Sequence, residues 1–248
     1  MRSALIFDVD GTLADTERDG HRVAFNRAFA DAGLDWNWDV ATYGRLLAIT
    51  GGKERIRHFI ETDDPSVPAT TDLTDWIAGL HKAKTAHYVA MMQEGRIPLR
   101  PGVARLIQEA RAAGTTLAIA TTTTPENVEA LLTATLGEDS PDWFACIAAG
   151  DIVPAKKPAS DIYDYALAEL GIAAGEALAL EDSLNGLRSA AGAELDTLIT
   201  VNDYTRNEDF SGAVAVLDHL GEPDMPCQTL QGKGPPQGHV TLEYLRGL

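Results

Sequence analysis

Short apolar runs and stretches of helical spacing alternate along the second half of the chain. Apolar runs bounded by glycine or polar residues are typical of buried parallel strands, and apolar positions three and four apart indicate helices. The order is strand 116–120, helix 125–136, strand 145–149, helix 158–170, strand 177–181, helix 183–192 and strand 197–201. An apolar run at residues 4–7 adds a first strand, and a helix is expected from near Pro101 to Gly114. The pattern predicts an α/β fold with a doubly wound parallel sheet.

A long helical stretch separates the first predicted strand from the others. Helical spacing covers residues 21–32, 40–49, 56–60 and 76–92. We therefore predict an α/β core made of residues 1–14 and 99–222, interrupted by a helical unit of residues 15–98. Residues 223–248 are rich in proline and glycine, which predicts an irregular C-terminal tail.

Polar residues of complementary chemistry follow the predicted strands. Asp8 and Asp10 follow the first strand, Thr121 and Thr122 follow strand 116–120, Lys157 precedes helix 158–170, and Glu181 and Asp182 end strand 177–181. The carboxyl ends of parallel strands meet at one edge of a sheet, where ligands bind. Four carboxylates gathered there would repel one another, and oxygen ligands beside a phosphate suit Mg²⁺. The sequence therefore predicts a Mg²⁺ site formed by Asp8, Asp10, Glu181 and Asp182.

This set of residues fits phosphoryl transfer. Asp8 could attack phosphorus and form an acyl phosphate, which splits one difficult displacement into two easier steps. Lys157 and Thr121 would stabilise the charge on the transferring group. Asp10 would then serve as the general acid and, afterwards, as the general base.

The order of these motifs resembles the haloacid dehalogenase superfamily of aspartyl-phosphate phosphatases. The resemblance spans residues 4 to about 200 and rests on Asp8-x-Asp10-Gly-Thr, the run ending in Thr121, Lys157-Pro and Glu181-Asp-Ser. It implies Asp8 as nucleophile, Asp10 as acid and base, and Mg²⁺ on Asp8, the backbone carbonyl of Asp10, Asp182 and Glu181. It also implies that the inserted helical unit is a cap that closes over the active site.

Within that superfamily, the inserted segment is similar to the CbbY-type phosphatases of the Calvin cycle, which act on xylulose-1,5-bisphosphate. The similarity rests on residues 14–22, 51–55 and 80–85. It implies a small phosphosugar as substrate, bound by Glu17, His21, Arg22, Lys53, Arg55, Lys84 and Thr122.

The residues alone leave several of these roles open. Lys53 and Arg55 follow Gly51-Gly52 and could bind a second phosphate at a helix start, or could form an ordinary solvated helix face. His21 lies one helical turn from Glu17 and could bind sugar hydroxyls or be a buried, hydrogen-bonded histidine. Three further residues could contact ligand or only cap and brace the fold: Thr122, Asn127 and Asn185.

Composition and charge limit the class of protein. The formal net charge of −17 argues against a nucleic-acid partner, which requires a positive surface. No apolar run is long enough to span a bilayer, so we expect no membrane partner and a cytoplasmic location. The two cysteines lack metal-type spacing and are expected to be unpaired. We expect a monomer.

Two alternatives share parts of the pattern. A phosphosugar mutase of the β-phosphoglucomutase type would have the same core motifs and a helical cap, but it would conserve ester phosphate. A receiver-like phospho-acceptor domain also combines acidic residues, a hydroxyl and a lysine around Mg²⁺. Its motif order differs, however, and it lacks an inserted helical unit.

Overall fold

The computed structural model describes residues 2–68, 72–95 and 97–248. Its sheet has seven strands in the order β3-β2-β1-β4-β5-β6-β7, all parallel except β7, which runs antiparallel to β6. The strands are β1 (Ala4–Phe7), β2 (Thr116–Ala120), β3 (Cys146–Ala148), β4 (Ala177–Glu181), β5 (Thr197–Thr200), β6 (Ala215–Leu217) and β7 (Thr229–Gly232). The predicted α/β fold with a doubly wound parallel sheet is confirmed.

Helices flank the sheet and fill the insertion after β1. They are α1 (Arg22–Asp31), α2 (Val40–Leu46), α3 (Gly52–Asp63), α4 (Leu73–Gln93), α5 (Val103–Ala112), α6 (Pro125–Leu136), α7 (Asp161–Leu170), α8 (Leu184–Gly192) and α9 (Leu242–Arg246). A π-helical turn at Glu17–His21 precedes α1, and 3₁₀ turns lie at Ser140–Trp143 and Ala174–Glu176. None of the described helices is long and apolar enough to cross a lipid bilayer.

Side chains of the central strands alternate between two apolar layers. In β1, Leu5 and Phe7 pack into a large cluster with α5 and α6, whereas Ala4 and Ile6 face a smaller cluster with α7. Both faces of β1 are buried, because successive strand side chains point to opposite sides of the sheet. This burial explains why the strand appears in the sequence as an uninterrupted apolar run.

The helices between β1 and α5 bury an apolar cluster of their own. Its largest members are aromatic: Phe25, Phe29, Trp36, Trp38, Tyr43 and Phe59. The two chain segments that join these helices to the sheet lie side by side, since Ala14 and Leu99 form an antiparallel bridge. We refer to residues 15–98 as the helical segment.

The prediction of an irregular tail over residues 223–248 is wrong in part. Strand β7 pairs with β6, and α9 packs with α5 while Leu242 and Leu245 are buried in the large cluster. The prolines and glycines mark turns between these elements, but they do not prevent the apolar positions from reaching the core. Strand β7 gives no apolar signal, because all four of its side chains are exposed.

Candidate active site

At the carboxyl edge of the sheet, where β1, β2, β4 and β5 end, Lys157 lies between two of the predicted acidic residues, Asp8 and Glu181. Its Nζ donates to Asp8 Oδ1 at 2.8 Å, Glu181 Oε1 at 2.5 Å and the carbonyl of Ala120 at 2.8 Å. Burial opposes the charge of Lys157, but Asp8 and Glu181 outweigh it and hold the lysine pKa above its usual value. Lys157 therefore remains a buried cation beside the predicted nucleophile.

Three buried carboxylates could hold a metal ion at this edge. Ligand oxygens of Asp8, Glu181 and Asp182 all lie within 4.8 Å of one another. Burial, reinforced by Glu181, raises the pKa of Asp8 to about 7 although Lys157 lowers it. Burial and the charges of Asp8 and Glu181 raise the pKa of Asp182 well above its usual value. The set has an excess of negative charge and offers only oxygen ligands, which fits a hard divalent cation.

The side chain of Asp10 lies outside this cluster. Its Oδ1 accepts from Thr16 Oγ1 at 2.6 Å and lies 2.7 Å from His21 Nε2. Burial raises the Asp10 pKa, but the interaction with His21 and the hydrogen bond from Thr16 outweigh it and bring the pKa to about 2. The carboxylate of Asp10 is therefore not part of the group of three that could share an ion, and its Oδ1 is engaged by Thr16 and His21.

A chain of polar side chains continues from Asp10 into the helical segment. Lys84 Nζ lies 2.8 Å from His21 Nδ1, and the His21 ring stacks on Tyr88 with centroids 4.3 Å apart. A lysine ammonium can only donate, so Nδ1 must accept and Nε2 must carry the proton that is donated to Asp10. Burial and the nearby charge of Arg55 lower the pKa of Lys84 to about 8.

The turn after β2 is a compact array of threonines. Thr121 is buried, its N–H donates to the carbonyl of Ala148 at 2.9 Å, and its Oγ1 accepts from the N–H of Thr123 at 3.3 Å. Asn127 donates to Thr123 Oγ1 at 2.9 Å, so it braces this turn. Thr122, the residue between them, lines the cavity.

The helical segment contributes a buried arginine to the side of the site that faces the carboxyl edge. Tyr43 donates its hydroxyl hydrogen to Glu17 and accepts from Arg55 Nη1 at 2.8 Å. Arg55 is only 7% exposed, lies 3.9 Å from Glu17 Oε2, and has no hydrogen-bond partner for Nε among the described residues. An uncompensated buried N–H is costly, so Arg55 is held in this position mainly by Tyr43 and Glu17.

A cavity of about 180 Å³ lies between the carboxyl edge and the helical segment. Asp8, Asp10, Thr121, Thr122, Lys157 and Asp182 line it from the sheet, and Glu17 and Arg55 line it from the helical segment. Asn185 also lines it and donates to the carbonyl of Ala48 and to Thr50 Oγ1, so it braces the helical segment against the core. The cavity is therefore enclosed by both parts of the chain.

Four of the predicted substrate residues do not line this cavity: Arg22, His21, Lys53 and Lys84. Lys53 pairs with Asp151 on the loop after β3, and Arg22 donates to the backbone carbonyls of Arg18 and Trp38. Helix geometry explains the position of Lys53. The side chains of residues two apart in a helix point about 200° apart, so Lys53 and Arg55 of α3 cannot face the same ligand. His21 and Lys84 are close to the site, but their polar atoms bind Asp10 and each other.

Sequence reasoning missed Tyr43 and Asn202. Asn202 Nδ2 donates to Asp182 Oδ2 at 2.7 Å and orients that carboxylate. Its position directly after strand 197–201 was the available signal, because other site residues occupy the same place on neighbouring strands. Tyr43 had no such signal, since an aromatic residue at helical spacing usually belongs to the core.

The doubly wound sheet and the acidic cluster at its carboxyl edge indicate a class of protein. Comparison with known protein families identifies that class. The haloacid dehalogenase-like hydrolase family matches residues 3–194, and the chain belongs to that family. This membership, together with the relatives below, makes the chain a phosphatase. The receiver-like alternative is therefore wrong.

Individual proteins of this family are similar to the chain over most of its length. The plasmid form of protein CbbY from Cupriavidus necator is 51% identical over 223 residues, which cover 90% of this chain and 87% of that protein. The crystal structure of CbbY from Rhodobacter sphaeroides in complex with phosphate is 51% identical, with a TM-score of 0.84 over 90% of this chain and 96% of that one. A mutant of that protein in complex with xylulose-(1,5)bisphosphate is 50% identical, with the same TM-score and coverage.

Proposed function

We propose that this phosphatase is Mg²⁺-dependent and removes one phosphate from a sugar bisphosphate, xylulose-1,5-bisphosphate, through an aspartyl phosphate. The observation that carries the proposal is the placement of two buried cations in one cavity, Lys157 beside Asp8 and Arg55 on the helical segment. A bisphosphate has an anion at each end: Lys157 would stabilise the charge of the reacting phosphate from beside Asp8, and Arg55 could receive the other phosphate. The xylulose-(1,5)bisphosphate complex of a relative that is 50% identical supports this choice of sugar.

The reaction would proceed in two displacements. A carboxylate oxygen of Asp8 attacks phosphorus, the bond from phosphorus to the sugar oxygen breaks, and Asp10 gives that oxygen a proton. Asp10 then removes a proton from water, the water oxygen attacks phosphorus, and the acyl phosphate bond breaks to release inorganic phosphate and restore Asp8. Bound Mg²⁺ would neutralise charge on the phosphoryl group, and Asp8, Glu181, Asp182 and the Asp10 carbonyl would hold it.

The chain from Lys84 through His21 fits the two protonation states of Asp10. In the arrangement described here His21 donates to an ionised Asp10, which suits the second displacement. In the first displacement Asp10 must carry a proton, and its other carboxylate oxygen, Oδ2, would hold it, because Oδ1 accepts from Thr16 and His21.

Phosphate release from a substrate panel tests the proposed function. The panel is xylulose-1,5-bisphosphate, xylulose 5-phosphate, ribulose-1,5-bisphosphate and p-nitrophenyl phosphate, each with Mg²⁺ and with excess chelator. The xylulose bisphosphate is expected to have the highest kcat/KM, because binding of its far phosphate helps align the reacting group. The ribulose bisphosphate is expected to be poor, because an enzyme that clears the xylulose compound must spare its isomer. A mutase would interconvert sugar phosphates without net phosphate release, so that outcome would contradict the proposal.

Arg55→Met is expected to remove the preference for a bisphosphate. Loss of a buried charge-assisted contact is expected to lower kcat/KM for xylulose-1,5-bisphosphate by about 30-fold or more. Hydrolysis of p-nitrophenyl phosphate should change little, because that ester has no second phosphate. Lys53→Met on the same helix is the matched control, and it should retain the preference because Lys53 pairs with Asp151 outside the cavity. Equal preference in Arg55→Met and the unmodified protein would exclude Arg55 as the second anion site.

Activity is expected to decline above about pH 8, where Lys84 loses its proton. Its pKa is lowered to about 8, so the ammonium that fixes the His21 tautomer is present below that pH and lost above it. The profile of kcat against pH should therefore show an alkaline limb. Lys84→Met should be slow at every pH and lack the limb, and a limb that persists in this variant would exclude Lys84 as its source.

A further inference from the structure

Arg100 is a buried arginine that contacts the ends of three strands. It lies just before α5, is 7% exposed, and donates to the carbonyls of Gly11, Thr200, Val201 and Asp218. The distances to the last three are 2.9, 2.5 and 2.7 Å. These carbonyls follow β1, β5 and β6, so one guanidinium joins three loops at the carboxyl edge.

The contact at Gly11 limits the motion of the loop that carries Asp10. Gly11 has φ +87°, and a Cβ there would lie 2.3 Å from Asp182 Oδ2, so the position requires glycine. Glycine also has the greatest backbone freedom. Its N–H donates to the carbonyl of Ala14 at 2.8 Å and its carbonyl accepts from Arg100, so both peptide groups of Gly11 are held.

The contact at Val201 acts on the opposite side of the acidic cluster. The next residue is Asn202, whose Nδ2 donates to Asp182 Oδ2 at 2.7 Å. The Oδ1 of Asn202 accepts from the N–H groups of Tyr204 at 2.9 Å and Thr205 at 3.2 Å, so its amide orientation is determined. Arg100 therefore supports the backbone beside Asp10 and the backbone beside the residue that orients Asp182.

The chemistry of this position requires a guanidinium. Among the described residues, the carboxylate paired with Arg100 is Asp15, 3.3 Å from Nε and on a largely exposed side chain. The buried charge is therefore balanced by carbonyl dipoles at strand ends and by the charges of Asp15 and Asp182. Five N–H groups in a rigid planar fork can serve several acceptors at once, whereas a lysine ammonium has three donors on a flexible stem.

We propose that Arg100 is a positioning residue that holds the two sides of the acidic metal site at a fixed separation. The proposal rests on the proposed Mg²⁺-dependent function. Arg100 acts through Gly11 on the loop that carries Asp10, and through Val201 and Asn202 on Asp182. In a folded chain that lacks it, the ligand oxygens no longer keep the spacing that a small octahedral cation requires.

The test compares Arg100→Met and Arg100→Lys with the unmodified protein. Binding of Mg²⁺ alone is measured by calorimetry, and kcat and KM are measured with p-nitrophenyl phosphate at saturating Mg²⁺. Loss of an outer-sphere support is expected to weaken Mg²⁺ affinity by roughly 10–100-fold. Arg100→Met should also lower kcat more than it raises KM, and Arg100→Lys should recover part of both losses.

Arg105→Met is the matched control for stability. Arg105 also donates to backbone carbonyls, of Val240 at 2.8 Å and Gly221 at 2.7 Å, but these support the C-terminal segment rather than the site. It should lower the melting temperature without weakening Mg²⁺ binding. Unchanged Mg²⁺ affinity in folded Arg100→Lys and Arg100→Met, or equal weakening in Arg105→Met, would overturn the proposal. Failure of the proposed function can be distinguished from failure of the Arg100 proposal, because the unmodified protein itself would then bind no Mg²⁺ or release no phosphate.

Discussion

Asp8→Asn is expected to abolish phosphate release while the protein stays folded. The amide lacks the attacking carboxylate and removes one of the three buried ligand groups. Its oxygen can still accept from Lys157, so the packing around the lysine is retained. We expect kcat to fall by about 10⁴-fold or more, a loss on the scale that other covalent catalysts show without their nucleophile.

Asp10→Asn is expected to have a different effect from Asp8→Asn, because the two aspartates have different proposed roles. This variant keeps the nucleophile, but it loses proton transfer, which contributes about 10²–10⁴ in rate. With p-nitrophenyl phosphate, whose leaving group needs little protonation, it should form the aspartyl phosphate and hydrolyse it slowly. The phosphoenzyme is detected by mass spectrometry after rapid acid quench, with Asp142→Asn, at an exposed position of the turn Ser140–Trp143, as a control. Substantial turnover by Asp8→Asn would show that the nucleophile is another residue.

Mg²⁺ is expected to stabilise the protein more strongly at pH 8 than at pH 5.5. Burial raises the pKa of Asp8 to about 7 in the folded chain, against 3.8 for an exposed carboxyl. A carboxyl with a raised folded pKa contributes stability below its unfolded pKa and loses it as the pH rises through the folded value. The metal-free protein should therefore lose free energy of unfolding between about pH 4 and 7, on the order of a few kcal/mol.

Metal binding should offset that loss, because Mg²⁺ competes with the proton for the same oxygen atoms. Below pH 7, affinity should rise about tenfold or more per pH unit, with at least one proton released per ion bound, because the pKa of Asp182 is raised as well. Melting temperatures with Mg²⁺ and with excess chelator, measured from pH 5.5 to 8.5, provide the test. A Mg²⁺-induced rise that is the same at every pH would show that Asp8 is already ionised in the metal-free protein, and no rise at all would exclude the metal site.

The sheet and the catalytic edge could be predicted because each depends on local sequence. Strands β1, β2 and β4 are buried on both faces, so each forms an apolar run whose last residue marks the edge. The residues that follow these runs, such as Asp8 and Thr121, therefore come together through topology alone. Strand β7 could not be predicted in this way, because it is held by backbone pairing with β6 and its side chains are exposed.

The substrate face of the helical segment could be predicted only in part. Sequence similarity named Lys53 and Arg55 together, but their directions depend on how α3 is rotated against its neighbours. That rotation is set by the aromatic cluster, in which Phe59 of α3 packs on Trp36 and Trp38, more than 20 positions earlier in the chain. Arg100 was not predicted either, because its contacts with Gly11 and Val201 join residues about 90 and 100 positions away.

The antiparallel bridge between Ala14 and Leu99 has a consequence for how new specificities can arise. The chain leaves and re-enters the core at adjacent points. An inserted segment of any length therefore has to connect the same two neighbouring positions. Closure entropy grows only slowly with loop length, so one insertion can be exchanged for another at little cost to the core. In the proposed function the helical segment selects the sugar and the carboxyl edge carries the chemistry. Replacement of the insertion would then change the substrate and leave the proposed nucleophile and metal ligands in place.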